Sequence, residues 1–147
     1  MWRALNGVGL AVTEAAEQAG IDRGTLELMY VRISQINGCT FCLDMHTRRA
    51  LDAGLPATIL AQLPAWNESS VFDDAERAAL AIGEAATTLP EPTERRTMLD
   101  RAREVVGDER FSILEWAAIT MNAFNRVSIL SEHPVRRPRP TERPQEG

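Results

Sequence analysis

The stretch Glu27-Leu28-Met29-Tyr30-Val31-Arg32-Ile33-Ser34-Gln35-Ile36-Asn37-Gly38-Cys39-Thr40-Phe41-Cys42-Leu43-Asp44-Met45-His46 decides how this chain is read. Asn37-Gly38 is a helix stop, because glycine takes the left-handed conformation that closes a helix without a Cβ clash. A helix over about Arg23 to Ile36 therefore precedes it, and another starts near Cys39 and runs to Gly54. On that second helix Cys39 and Cys42 are neighbours at i,i+3, and Cys42 and His46 at i,i+4. Both sulfurs then sit in the first turn, where free backbone N–H groups and the helix dipole favour a thiolate. His46 lies one turn deeper and can take up or pass on a proton. If the two helices pack antiparallel, Glu27 faces His46. Thiol, imidazole and carboxylate in series are the parts of an activated nucleophile.

Outward from this stretch the pattern stays helical. A first helix is predicted from about Val8 to Ala19, with Gly20 as its cap. Pro56 suits the first position of a short helix through about Leu63. Asp73 and Glu76 form a capping-box signature before an apolar stripe of Ala75, Ala78, Ala79, Ile82, Ala85, Ala86 and Leu89. Pro90 and Pro92 break that stripe, Thr93 opens a further helix to about Val106, and Asp108 begins a long last one to about Glu132. Its buried stripe is expected to be Leu114, Ala117, Ala118, Met121 and Phe124. Trp66, Trp116 and Phe124 read as core or interface anchors. Asn122, Asn125 and Arg126 read first as inter-helix hydrogen bonding or a subunit contact, and second as pocket lining. Strand signals are nearly absent, so the expectation is an all-α domain of about six helices over residues 1–132. Residues 133–147, rich in Pro and Arg, read as a flexible tail.

The chain has 147 residues, enough for one domain with its own core. Hydrophobic residues make up 44% and charged residues 25%, a globular balance. No apolar run approaches the ~18 residues of a membrane span. The N-terminus lacks the basic and apolar regions of a signal peptide, so the cytoplasm is the expected location. All basic residues are Arg, the net charge is −5, and the four tail arginines leave the body more acidic still. An acidic body argues against a nucleic-acid surface. The two cysteines close too short a loop to staple a fold, so the pair is either redox-active or half of a metal site. His46 would raise the zinc ligands to three, but a structural zinc site wants four. The only other histidine, His133, precedes the tail, and there is no second cysteine pair. The metal reading is the lesser one, and neither metal nor cofactor is expected. A thioredoxin fold is disfavoured because it needs strands.

At these residues the chain resembles the AhpD-like alkylhydroperoxidase family, also called the carboxymuconolactone decarboxylase superfamily. The family core is Glu, eleven residues, Cys, two residues, Cys, three residues, His, and Glu27, Cys39, Cys42 and His46 match it throughout. The lead-in Arg32 to Cys39 and the follow-on Asp44 to Thr47 look like the family's own. Further similarity lies in Phe72 to Leu80 and Met121 to Arg126. The resemblance implies an all-helical AhpD-like fold and a thiol peroxidase. It implies Cys42 as the peroxidatic thiol, Glu27 and His46 as its proton relay, and Cys39 as the thiol that closes a disulfide with it. It further implies reduction by an external dithiol such as a lipoylated or thioredoxin-like protein, and assembly into trimers or hexamers. Cys39, nearer the helix start, is expected to be the more accessible sulfur. One residue departs from the pattern: Phe41 stands where peroxidase members carry a second relay histidine. Tyr30 or Ser34 are candidates to supply a hydroxyl in its place. Lactone decarboxylation is not expected, because the decarboxylases of the superfamily lack the cysteine pair. The alternative to an enzyme is a thiol redox sensor or oligomeric binding module on the same fold.

Overall fold

The structure, a computed structural model, describes residues 1–135. From residue 136 onward the expected tail lies outside the described residues. Every regular element among the described residues is helical: α1 (Trp2–Gln18), α2 (Arg23–Asn37), α3 (Thr40–Asp52), α4 (Ala57–Gln62), α5 (Asp74–Thr88), α6 (Pro92–Val106) and α7 (Asp108–Leu130), with a 3₁₀ turn at Leu63–Ala65. Six of these are long and the short α4 is the seventh. No helix among the described residues is long and apolar enough to cross a membrane.

Helix α2 is the central rod, packed against α3, α5 and α7. It is buried on nearly all sides, from Gly24 through Met29 and again at Val31, Ile33 and Ser34, whereas a surface helix buries one stripe. Its N-terminus is capped by Asp22, whose carboxylate accepts the Thr25 N–H at 3.2 Å. Its C-terminus closes on Gly38 at φ 68°, with the Gly38 N–H donating to Gln35 and the Cys39 N–H to Ser34. Two apolar clusters flank the rod. One gathers Leu26, Met29 and Ile33 with Val12, Ala78, Ala79, Ile82, Leu114, Ala117, Ala118 and Met121. The other gathers Leu28, Val31, Ala50, Leu60, Leu63, Phe72 and Leu80.

Helix α5 reaches both clusters, and this corrects its predicted stripe. Leu80 is fully buried in the second cluster, while Ala75 is exposed and Leu89 turns out to solvent in the left-handed conformation that ends the helix. The Asp73–Glu76 capping box forms as the sequence predicts. Pro92 begins α6, where the backbone N–H that proline lacks would have had no intrahelical partner. Helix α1 starts at Trp2 rather than Val8, and α7 stops at Leu130 rather than Glu132. Trp116 is not a core anchor: it lies off the buried stripe of α7 and is 56% exposed. Trp66 is half-buried beneath the Arg77 guanidinium, which also donates to the carbonyls of Trp66, Asn67 and Ser69 and so ties down the loop before α5.

The α2–α5 contact depends on Gly83. A Cβ there would come within 2.8 Å of Met29 Cγ and 3.3 Å of Ile33 Cγ1. Gly83→Val is expected to destabilise the protein by about 1–3 kcal/mol through overpacking. Gly7, in α1, has open space where a Cβ would go. Gly7→Ala is expected to stabilise by about 0.5–1 kcal/mol through helix propensity. Urea midpoints read both effects, and equal effects of the two changes would contradict this packing.

Candidate active site

The Asn37-Gly38 turn hands the chain from α2 to α3, so α3 opens on the cysteine pair. Cys39 is the N-cap, and its sulfur accepts the Cys42 N–H at 3.4 Å. Cys42 lies in the first helical turn, where unpaired N–H groups and the helix dipole support negative charge. Both thiols are free, with their sulfurs in contact at 2.7 Å. The Ser128 hydroxyl, on α7, stands 3.6 Å from Cys42 Sγ. Burial pushes the Cys39 thiol up from 9.0 to about 11, helped by its hydrogen bond to Cys42. Cys39 is thus a protonated donor at neutral pH. The expectation that Cys39 is the more accessible sulfur fails, since each cysteine is 1% exposed. The helix cap that places Cys39 first in sequence also folds it inward.

Glu27 and His46 meet across the α2–α3 contact. Glu27 Oε2 accepts from His46 Nδ1 at 2.6 Å, and both side chains are buried. The other carboxylate oxygen accepts from Arg23 Nε at 2.8 Å. A carboxylate is an acceptor, so the network places an imidazole proton on Nδ1, and in the neutral ring the lone pair is then on Nε2. The Tyr30 ring packs on His46 with centroids 4.9 Å apart. Burial, with the nearby Glu27 charge, raises the Tyr30 phenol from 10.0 to about 12. No direct Cys42–His46 hydrogen bond forms among the described residues. The two side chains instead line one cavity of about 530 Å³, whose walls include Trp2, Leu10, Tyr30, Phe41, Met121 and Phe124. Among the described residues no three His, Cys, Asp or Glu side chains gather as metal ligands.

The turn itself is clamped from α7. Asn37 Nδ2 donates to Asn122 Oδ1 at 2.8 Å and to Asn125 Oδ1 at 2.9 Å, while Arg126 donates to Asn37 Oδ1. Asn122 also donates to Thr87 on α5, and Asn125 to the Ser34 hydroxyl. Asn122, Asn125 and Arg126 therefore join helices and do not line the cavity. Ser34 donates to the Tyr30 carbonyl and belongs to the same network, so it is not the replacement hydroxyl near the sulfurs. Ser128 holds that place. Sequence reasoning passed over Ser128 and Arg23. The i,i+4 spacing of Arg23 and Glu27 was a usable signal, whereas Ser128 is 86 residues from Cys42 and has none.

A model of the carboxymuconolactone decarboxylase family matches residues 3–85, a span that holds Glu27, Cys39, Cys42 and His46. The chain belongs to that family, on its AhpD-like side. It is 37% identical over 113 residues to the uncharacterized protein YdfG of Bacillus subtilis, covering 77% of each chain. It is 33% identical over 76 residues to the alkyl hydroperoxide reductase AhpD of a Bradyrhizobium strain, which is 52% of this chain and 39% of that one. Among solved structures, a protein of unknown function from Agrobacterium tumefaciens, suggested to be an AhpD antioxidant defence protein, superposes with a TM-score of 0.76 at 29% identity. That match covers 92% of this chain and 94% of the other.

The raised Cys39 and Tyr30 groups set an alkaline limit. In the unfolded chain both lose their protons at lower pH than in the folded protein. Their contribution to stability is therefore complete below about pH 9 and is lost as pH climbs toward 12. Urea midpoints measured between about pH 8 and pH 11 are expected to fall progressively above pH 9. A flat profile would contradict the burial of these groups.

Proposed function

We propose that this protein is a thiol-dependent hydroperoxide reductase. The observation that carries this reading is that His46, held at 2.6 Å by the buried Glu27 carboxylate behind it, lines the same cavity as Cys42. Cys42 is the nucleophile. It lies in the first turn of α3, in contact with the Cys39 thiol and 3.6 Å from the Ser128 hydroxyl. The Cys42 proton passes to Nε2 of His46, directly or through a molecule in the cavity, and Glu27 holds the resulting imidazolium. Cys42 Sγ attacks the distal oxygen of the peroxide. The O–O bond breaks, the alcohol leaves with the proton from His46, and Cys42 becomes a sulfenic acid. Cys39, in contact with it, condenses to a disulfide and releases water. An external dithiol then restores both thiols. Neither metal nor cofactor enters this cycle. A cytoplasmic location and a trimeric or hexameric assembly belong to the same proposal.

The cavity walls favour an organic hydroperoxide with an apolar body. Trp2, Leu10, Val12, Met121 and Phe124 offer it burial, which hydrogen peroxide cannot use. With dihydrolipoamide as donor, kcat/KM for cumene hydroperoxide is expected to exceed that for hydrogen peroxide by about tenfold or more.

Single-turnover oxidation tests the roles. Cys42→Ser is expected to abolish peroxide consumption. Cys39→Ser should consume one equivalent and then stop, with a sulfenic acid on Cys42. Glu27→Gln is expected to slow Cys42 oxidation by about a hundredfold, the usual scale of a general acid–base contribution. Peroxide consumption by both cysteine variants at the wild-type rate would end the proposal. A disulfide that changes assembly without any turnover would favour the redox-sensor alternative.

A further inference from the structure

The two sulfurs touch, yet they open onto different sides of the protein. Cys42 lines the large apolar cavity with His46 and Tyr30. Cys39 does not. It lines a separate pocket of about 190 Å³ with Gly38, Thr40, Ile129, Glu132 and His133. Phe41 and Ser128 contribute to both and form the wall between them. His133 is held at the second mouth by two contacts. Its backbone N–H donates to the Ser128 carbonyl at 3.1 Å, and its ring packs against Phe41, tilted by 45° with centroids 5.1 Å apart. Glu132 adopts φ 51° to allow this, a left-handed conformation that a residue with a Cβ takes only when its surroundings enforce it. The end of α7 thus bends to bring an exposed imidazole to the Cys39 side.

We propose that the reducing dithiol reaches the oxidised protein through this second pocket and attacks Cys39, with His133 as the base that takes the proton of the attacking thiol. This rests on the reading of Cys39 and Cys42 as a redox pair. The donor's first sulfur bonds to Cys39 Sγ, the Cys39–Cys42 bond breaks, and Cys42 leaves as a thiolate. The donor's second thiol then attacks its own first sulfur, loses its proton to Cys42, and frees Cys39, which recovers the proton held on His133. Two electrons and two protons pass from the donor, which ends as an intramolecular disulfide. The direction of attack agrees with the chemistry of the pair. Thiol exchange is faster when the departing sulfur is the better-stabilised anion, and the burial that raises the Cys39 thiol makes it the poorer leaving group. Because peroxide and dithiol arrive at different sulfurs through different mouths, one need not vacate its site for the other.

The test uses protein whose disulfide has been formed with diamide, so that it does not depend on peroxide being the natural oxidant. Reduction by dihydrolipoamide is followed by stopped-flow tryptophan fluorescence. His133→Phe keeps a ring on Phe41 but removes the base. Ile129→Trp fills the pocket. Each is expected to lower the second-order rate constant of reduction about tenfold or more, and added imidazole is expected to restore part of the rate in His133→Phe but not in Ile129→Trp. Reduction within twofold of wild type in either variant, with unchanged melting temperature, overturns the proposal. A protein that shows these rates but never consumes hydroperoxide would end the proposed activity and leave this donor route standing.

Discussion

A carboxylate buried to 1% exposure is the constraint around which the rest of the molecule is arranged. Glu27 sits in the second turn of α2, buried where an unpaired charge would cost several kcal/mol. It is tolerated because both oxygens are used: one by Arg23 one turn back, the other by His46 on the next helix. The bond to His46 fixes the rotation of α3 about its axis, and with it the direction in which the first turn of α3 presents its two cysteines. Position and protonation are set together, since the oxygen that orients the ring also decides which nitrogen carries the proton.

The clamp on the Asn37-Gly38 turn works toward the same end. A left-handed glycine lets the chain reverse between two helices, but it does not hold the reversal at one angle. Asn37 does that by reaching Asn122 and Asn125 on α7, which also carries Ser128 to within 3.6 Å of Cys42 Sγ. Two consecutive helices and a third that is remote in sequence therefore converge on one sulfur pair. A polar network with every member partnered specifies a single packing, and among the described residues no buried side-chain polar atom lacks a partner.

What could be read in advance follows the reach of local geometry. Glu27, Cys39, Cys42 and His46 fall within twenty residues, so helical spacing and one glycine turn were enough to bring them together. The capping box at Asp73 and the proline at the start of α6 are likewise local signals with local causes. The misreadings are long-range. Leu80 is missing from the predicted stripe, because nothing nearby says that α5 reaches two clusters. Trp116, read as a core or interface anchor, lies outside the core of this chain, and its size alone could not decide between the two. Cys39 looked exposed because it comes first on its helix, whereas the end of α7 covers it. The large cavity was illegible for the same reason: its walls come from α1, α2, α3 and α7.

The central claim is that the Glu27 carboxylate pins the proton on Nδ1 of His46 and keeps Nε2 available on the cavity side. Nitrogen-15 NMR of the reduced protein, labelled at histidine, measures this directly at neutral pH. The account predicts that the neutral ring of His46 carries its proton on Nδ1, strongly deshielded, slowly exchanging and coupled to that nitrogen. A neutral ring protonated at Nε2 would contradict it, because the imidazole could then accept no proton from the sulfur side.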